Sequence, residues 1–151
     1  MTEENLKVRL LVEEYGLLEK SMETLKLSIS KCRPIIAKDE YSFEEMESFD
    51  SLTSKFGRTS DIYTQKVLRT IWSLLHEPFL PFIDFLNQTE KLGIIKSADQ
   101  LLEARDLRNQ ITHEYIPEAI TSLIPEVIEC CSRLLENIDS TKQFMQKRNW
   151  L

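Results

Sequence analysis

The chain has 151 residues, a net charge of −6 and 29% charged against 42% hydrophobic residues, which is an ordinary globular composition. Three glycines and five prolines are too few for the frequent turns of an all-β fold. An acidic chain is a poor candidate for binding nucleic acid over its whole surface, so a phosphate site would have to be a local cationic cleft.

The N-terminal residues, the apolar runs and the cysteines indicate the cellular location. No apolar run approaches the roughly 18 residues needed to cross a membrane, and the acidic start Met1–Glu4 is unlike a signal peptide. Cys32, Cys130 and Cys131 form neither a disulfide framework nor a metal-ligand spacing, and we expect the adjacent pair to pack in the core. These features predict a reduced, cytoplasmic protein with no membrane segment.

Apolar residues spaced three and four apart predict a first helix over residues 3–31. Thr2 suits its N-cap, and the residue before Pro34 ends it, because a residue that precedes proline avoids helical geometry. Ser42 and Glu45 then form a capping-box pattern that opens a second helix. This helix is expected to reach about His76.

Glycine and proline mark the remaining boundaries. Gly57 predicts a kink or a short break in the second helix, and a short third helix is expected over residues 81–90. Gly93 resembles a helix C-cap, and Ser97 caps a fourth helix that ends before Ile116-Pro117.

A last helix is predicted to begin at Pro117, which suits a first helical turn, and to kink at Pro125. We therefore expect an all-α protein, an up-and-down bundle of four to five helices formed as one domain by residues 1–140. Residues 141–151 are polar and predicted to fray. The long apolar stripes leave surface to spare, which favours a homodimer.

The chemistry is concentrated in one polar segment at the end of the fourth helix. It reads Arg108-Asn109-Gln110-Ile111-Thr112-His113-Glu114-Tyr115. Asn109 and His113 are four residues apart and share a helix face, while Arg108, Thr112 and Tyr115 form the neighbouring stripe. The helix C-terminus favours a protonated His113, which we expect in the last turn. Arg108 can neutralise a phosphate, and Asn109 can orient the imidazole or the substrate.

One histidine cannot easily act as both base and acid, so this segment would supply half a site. In a symmetric dimer, one His113 would take the proton of a ribose 2′-OH and the other would protonate the leaving 5′-oxygen. The sequence offers no clustered metal ligands, and we predict no metal and no cofactor. A purely structural interpretation also stays open, in which Arg108 pairs with an acidic residue and His113 satisfies a helix terminus.

The segment resembles the signature of the HEPN family, in particular HepT-like toxins and nucleotidyltransferase-associated proteins. That signature is Arg-x4–6-His, often Arg-Asn-x3-His-x-Tyr, and Arg108, Asn109, His113 and Tyr115 match its longer form. The lead-in over residues 91–95 is also similar. The resemblance implies a homodimeric helical bundle that cleaves RNA without metal and has an MNT-type nucleotidyltransferase antitoxin as partner.

Carried over by position, the resemblance implies that Arg108 and His113 are catalytic, that Asn109 is supportive with Thr112 beside it, and that Tyr115 is the residue modified with AMP. Two other interpretations remain: a non-catalytic subunit that supports the nucleotidyltransferase, and a plain helical scaffold. Asp61, Tyr63 and Lys66 lie on the second helix. They could face a cleft or solvent, and we favour solvent.

Overall fold

The structure is a computed structural model that describes residues 2–151. Six α-helices are formed: α1 (Glu3–Cys32), α2 (Phe43–Asp61), α3 (Leu68–Leu74), α4 (Phe82–Lys91), α5 (Ala98–Thr112) and α6 (Pro117–Lys147). A π-helical segment, Ile62–Val67, joins α2 to α3 without a break, and a 3₁₀ turn, Arg33–Ile35, follows α1. No strand occurs among the described residues. The all-α prediction is confirmed.

The helices pack as a bundle in which neighbours along the chain are also neighbours in space. α1 lies along α2, α4 lies against α5, and α5 lies against α6. α2 also contacts both α5 and α6, so it occupies the middle of the bundle. No helix within residues 2–151 has both the length and the apolarity to cross a membrane.

The predicted helix starts are confirmed by side-chain caps. The Asn5 amide donates to Thr2 Oγ1 at 3.1 Å at the start of α1. Ser42 and Glu45 form the complete capping box, with reciprocal bonds of 3.0 and 3.1 Å. Each bond satisfies an amide that has no partner within its own helix.

The start of α5, which positions the polar segment, is fixed from both sides. Gly93 has a φ of +76°, the left-handed conformation that a helix C-cap favours. The amides of Lys96 and Ser97 both donate to Asn137 Oδ1, at 3.0 and 2.9 Å, and Asn137 is fully buried in α6. The Gln100 amide donates to Ser97 Oγ at 3.2 Å. Helix α5 is therefore anchored to α6 at its N-terminal end.

Two predicted interruptions of helix are wrong. Gly57 does not break the second helix, since α2 continues through it and the irregularity falls later, at Ile62–Val67. Residues 141–151 do not fray as a unit, because α6 continues to Lys147 and buries Thr141 and Met145 completely. The Thr141 hydroxyl donates to the Ile94 carbonyl at 2.8 Å, a contact across the bundle that the polar local sequence does not reveal.

Candidate functional site

A groove of about 860 Å³ runs between α2 with its π-helical extension and α5. The α2 side is lined by Thr53, Ser54, Gly57, Arg58, Ser60, Asp61, Ile62, Thr64, Gln65 and Lys66. The opposite side is lined by Phe82 of α4 and by Leu101, Arg105, Arg108, Asn109, Ile111 and Thr112 of α5. The polar segment at the end of α5 therefore borders this groove.

The groove is cationic although the molecule is acidic. Four cations line it, Arg58, Lys66, Arg105 and Arg108, against the single carboxylate of Asp61. The chain as a whole carries a net charge of −6. A concave surface of one sign concentrates the field, so this groove attracts anions that the rest of the surface repels.

The Arg108 side chain packs against α2 and bonds to it. Its Nη2 donates to Asp61 Oδ2 at 2.5 Å. Its side-chain stem passes Gly57, where an added Cβ would lie 3.5 Å from Arg108 Cγ and 3.7 Å from Nε. The Arg108–Asp61 pair is partly exposed, so it contributes about 0–1 kcal/mol to folding. Its main consequence is the orientation of the guanidinium towards the groove.

Arg108 also keeps unused hydrogen-bonding capacity. Its Nε is buried and has no hydrogen-bond partner within residues 2–151. A buried donor without a partner costs about 1–3 kcal/mol. The expected pairing of Arg108 with an acidic residue is thus present, but it leaves part of the guanidinium available.

Asn109 and Thr112 lie on the same wall of the groove as Arg108. Both are exposed and line the groove. The Thr112 hydroxyl donates to the Arg108 carbonyl at 2.9 Å and so closes the last turn of α5. Its proton is therefore engaged by the backbone, while the Asn109 amide side chain makes no hydrogen bond among the described residues.

His113 lies at the C-terminal end of α5, as predicted, but outside the groove. Helix α5 ends at Thr112, and His113 is its C-cap, with φ −94° and ψ 1°. The His113 amide still donates to the Asn109 carbonyl at 3.1 Å, but the residue is exposed and is not among those that line the groove. Within one chain, therefore, the imidazole is not brought into the groove with Arg108.

Tyr115 is farther from the predicted helix face. It lies in the connection between α5 and α6 and is 88% exposed, so it does not continue the stripe of Arg108 and Thr112. The neighbouring Ile116 is 59% exposed, and its amide donates to Glu114 Oε1 at 3.1 Å. Ile116, the residue before Pro117, is extended, whereas α5 already ends at Thr112.

Several groove residues escape sequence reasoning. Asp61 and Lys66, which we assign to a solvated face from sequence alone, line the groove, and Tyr63 is fully buried instead. The Tyr63 hydroxyl lies 2.6 Å from Thr141 Oγ1 and donates to the Asn137 carbonyl at 3.0 Å. The only signal for the α2 wall is the spacing of Gly57 and Asp61, which a regular helix places on one face.

No protein-family model matches this chain, and neither a curated protein nor a solved structure matches it. Residues 2–151 contain no group of three or more His, Cys, Asp or Glu side chains placed to hold a metal ion. Any assignment of function therefore depends on the polar segment, the groove and the helical architecture.

Proposed function

We propose that this chain is a metal-independent endoribonuclease of HEPN type, active as a homodimer in the cytoplasm. We further propose that it is the toxin of a pair whose antitoxin is an MNT-type nucleotidyltransferase. One observation carries the proposal: the Arg108–Tyr115 segment, which matches the family signature, borders a cationic groove in an otherwise acidic molecule. A phosphodiester is the ligand that such a groove and such residues suit.

Each residue has a role in transesterification. One His113 imidazole takes the proton of the ribose 2′-OH, whose oxygen attacks phosphorus and forms a 2′,3′-cyclic phosphate. The bond from phosphorus to the 5′-oxygen breaks, and the second His113, in its protonated form, donates a proton to that oxygen. Arg108 neutralises the charge that develops on the phosphoryl oxygens, and Asn109 orients the imidazole or the ribose.

The position of His113 favours a two-chain site. In a single chain the His113 imidazole is exposed outside the groove, whereas Arg108 lines the groove. Tyr115 and Ile116, next to His113, expose apolar surface at 88% and 59%. A second copy that packs on this edge would bury these side chains and add its own His113 and Arg108 to a shared cleft.

The product ends test the reaction. Purified protein should cleave single-stranded RNA in excess EDTA and leave 2′,3′-cyclic phosphate and 5′-hydroxyl ends, which mass spectrometry of the fragments distinguishes. Products with 3′-hydroxyl ends, or cleavage that EDTA abolishes, would contradict the proposed mechanism.

A second candidate is a non-catalytic helical subunit that presents Tyr115 to a partner nucleotidyltransferase. The exposure of Tyr115, 88% at the tip of a connection, favours it. In this case ATP would transfer its adenylyl group to Tyr115 Oη and release pyrophosphate. Intact RNA after incubation, together with a mass increase that Tyr115→Phe removes when an MNT-type enzyme and ATP are present, would select this candidate over the ribonuclease.

A further inference from the structure

The α2 wall of the groove carries cations that the proposed catalysis does not use. Arg58 and Lys66 both line the groove, both are exposed, and neither takes part in an ion pair within residues 2–151. A cation held by no carboxylate keeps its full attraction for an incoming anion. These two side chains are therefore the more available charges of the groove, since Arg108 already shares its charge with Asp61.

The spacing of Arg58 and Lys66 indicates more than one phosphate. They are eight residues apart along the continuous helix formed by α2 and the π-helical segment, which separates them by about two turns. Asp61 lies between them and occupies part of Arg108. Two long cationic side chains spaced in this way can contact successive phosphates of a strand.

The opposite wall offers a surface for bases. Phe82 lines the groove and is only partly buried, and the Arg105 guanidinium carbon lies 5.3 Å from the centroid of its ring. The partly buried Ile111 adds apolar surface to the same wall. Aromatic rings and guanidinium planes are the surfaces on which unpaired bases stack, and grooves for single strands combine them with cations that follow the backbone.

We propose that Arg58 and Lys66 form a second phosphate subsite, so that the groove holds several successive nucleotides of single-stranded RNA with a base stacked on Phe82 and Arg105. This inference rests on the proposed function, because it takes Arg108 and His113 as the place of the scissile phosphate. It assigns the α2 wall to substrate recognition. The ligand class is an extended polyanion rather than a mononucleotide.

Binding measurements at several salt concentrations test the subsite. The full chain carrying His113→Ala, which leaves RNA uncut, is titrated into a fluorescent single-stranded RNA of about a dozen nucleotides, a length within the usual site sizes. Each of Arg58→Gln and Lys66→Gln should weaken binding and lower the slope of log affinity against log salt by about 0.7, the value for one phosphate contact of a single strand.

Lys26→Gln is the matched control. Lys26 is an exposed lysine on α1 that lines a different depression, so its substitution makes the same change of charge and should leave the slope unchanged. Phe82→Leu should weaken binding without changing the slope. A mononucleotide that binds as tightly as the RNA, or slopes for Arg58→Gln and Lys66→Gln equal to that of Lys26→Gln, would overturn the subsite.

Two results separate the subsite from the proposed function. If the chain with His113 cleaves RNA but Arg58→Gln and Lys66→Gln bind it normally, the subsite is wrong and the ribonuclease stands. If the chain cuts no RNA but the two substitutions lower the salt slope as stated, the subsite stands and the proposed reaction is wrong.

Discussion

The surroundings of Arg108 allow it to take part in packing and still face the groove. Asp61 accepts a hydrogen bond from Nη2, Gly57 leaves room for the stem, and Nε stays buried without a partner. A partly exposed ion pair stabilises folding little. Its physical consequence is a guanidinium with a fixed direction, and the partly exposed end of that group suits the binding of a phosphoryl group.

Asp61→Asn tests whether the ion pair between Asp61 and Arg108 matters for cleavage. The substitution removes the ion pair that orients Arg108, and a displaced catalytic group can cost up to roughly 100-fold in kcat. RNA affinity should not fall, because a negative charge leaves the groove. We therefore expect a lower kcat with an unchanged or lower KM for RNA cleavage. Glu103→Gln is the control, since Glu103 pairs with Arg133 outside the groove; an Asp61→Asn enzyme as fast as this control would show that Asp61 does not position Arg108.

At the scale of elements, α2 and α5 define the site, and the sequence predicts their starts better than their irregularities. Ser42 and Ser97 are local signals for helix N-termini, and both cap as expected. The end of α5 at Thr112 and the π-helical segment Ile62–Val67 carry no comparable local signal. Tertiary contacts accompany the latter, since Tyr63 within it hydrogen-bonds to α6.

Only one half of the candidate site, the half on α5, can be predicted from the sequence. The segment from Arg108 to Tyr115 is contiguous, so its chemistry is visible in the sequence. The α2 wall is about fifty residues earlier in the chain, and only folding brings Asp61 within 2.5 Å of Arg108. Local patterns identify which side chains are chemically suitable, whereas long-range packing decides which of them meet.

Gly57→Ala tests the packing of α2 directly. Gly57 lies inside a regular helix, where alanine is more favourable than glycine by about 1 kcal/mol, and the new Cβ would make ordinary contacts at 3.5 Å with Arg108. We expect Tm to rise by about 2–4 °C in thermal unfolding. Gly16→Ala in α1, where no atom lies within 4 Å, is the matched reference. A fall in Tm for Gly57→Ala alone would mean that Arg108 packs more tightly on α2 than described.

At the scale of the whole molecule, the core determines how stability depends on pH. Burial is the largest cause that raises the pKa of the Cys131 thiol from its ordinary 9.0 to about 12 and that of Cys130 to about 11. Burial likewise raises the pKa of Tyr15 from 10.0 to about 12. These groups keep their protons in the folded state at pH values where the unfolded chain releases them.

The sign of the effect follows from proton binding. Above about pH 9 the folded state binds more protons than the unfolded state, so the free energy of unfolding should fall as pH rises. The contribution is complete below about pH 9 and is lost as the pH rises through about 11 and 12. Urea unfolding at a series of pH values measures this, and Cys131→Ala should make the alkaline decline shallower. A free energy of unfolding that stays constant from pH 8 to pH 11 would contradict it.

The most direct test of the central claim is the rate of RNA cleavage, in excess EDTA, by the unaltered chain and by two histidine variants. The chain contains two histidines, His76 and His113, and His76 has a φ of +59° at the end of a helix, which asparagine tolerates. We predict that His113→Ala abolishes cleavage, whereas His76→Asn cleaves RNA at the original rate. Cleavage by His113→Ala at the same rate as the unaltered chain would contradict the account.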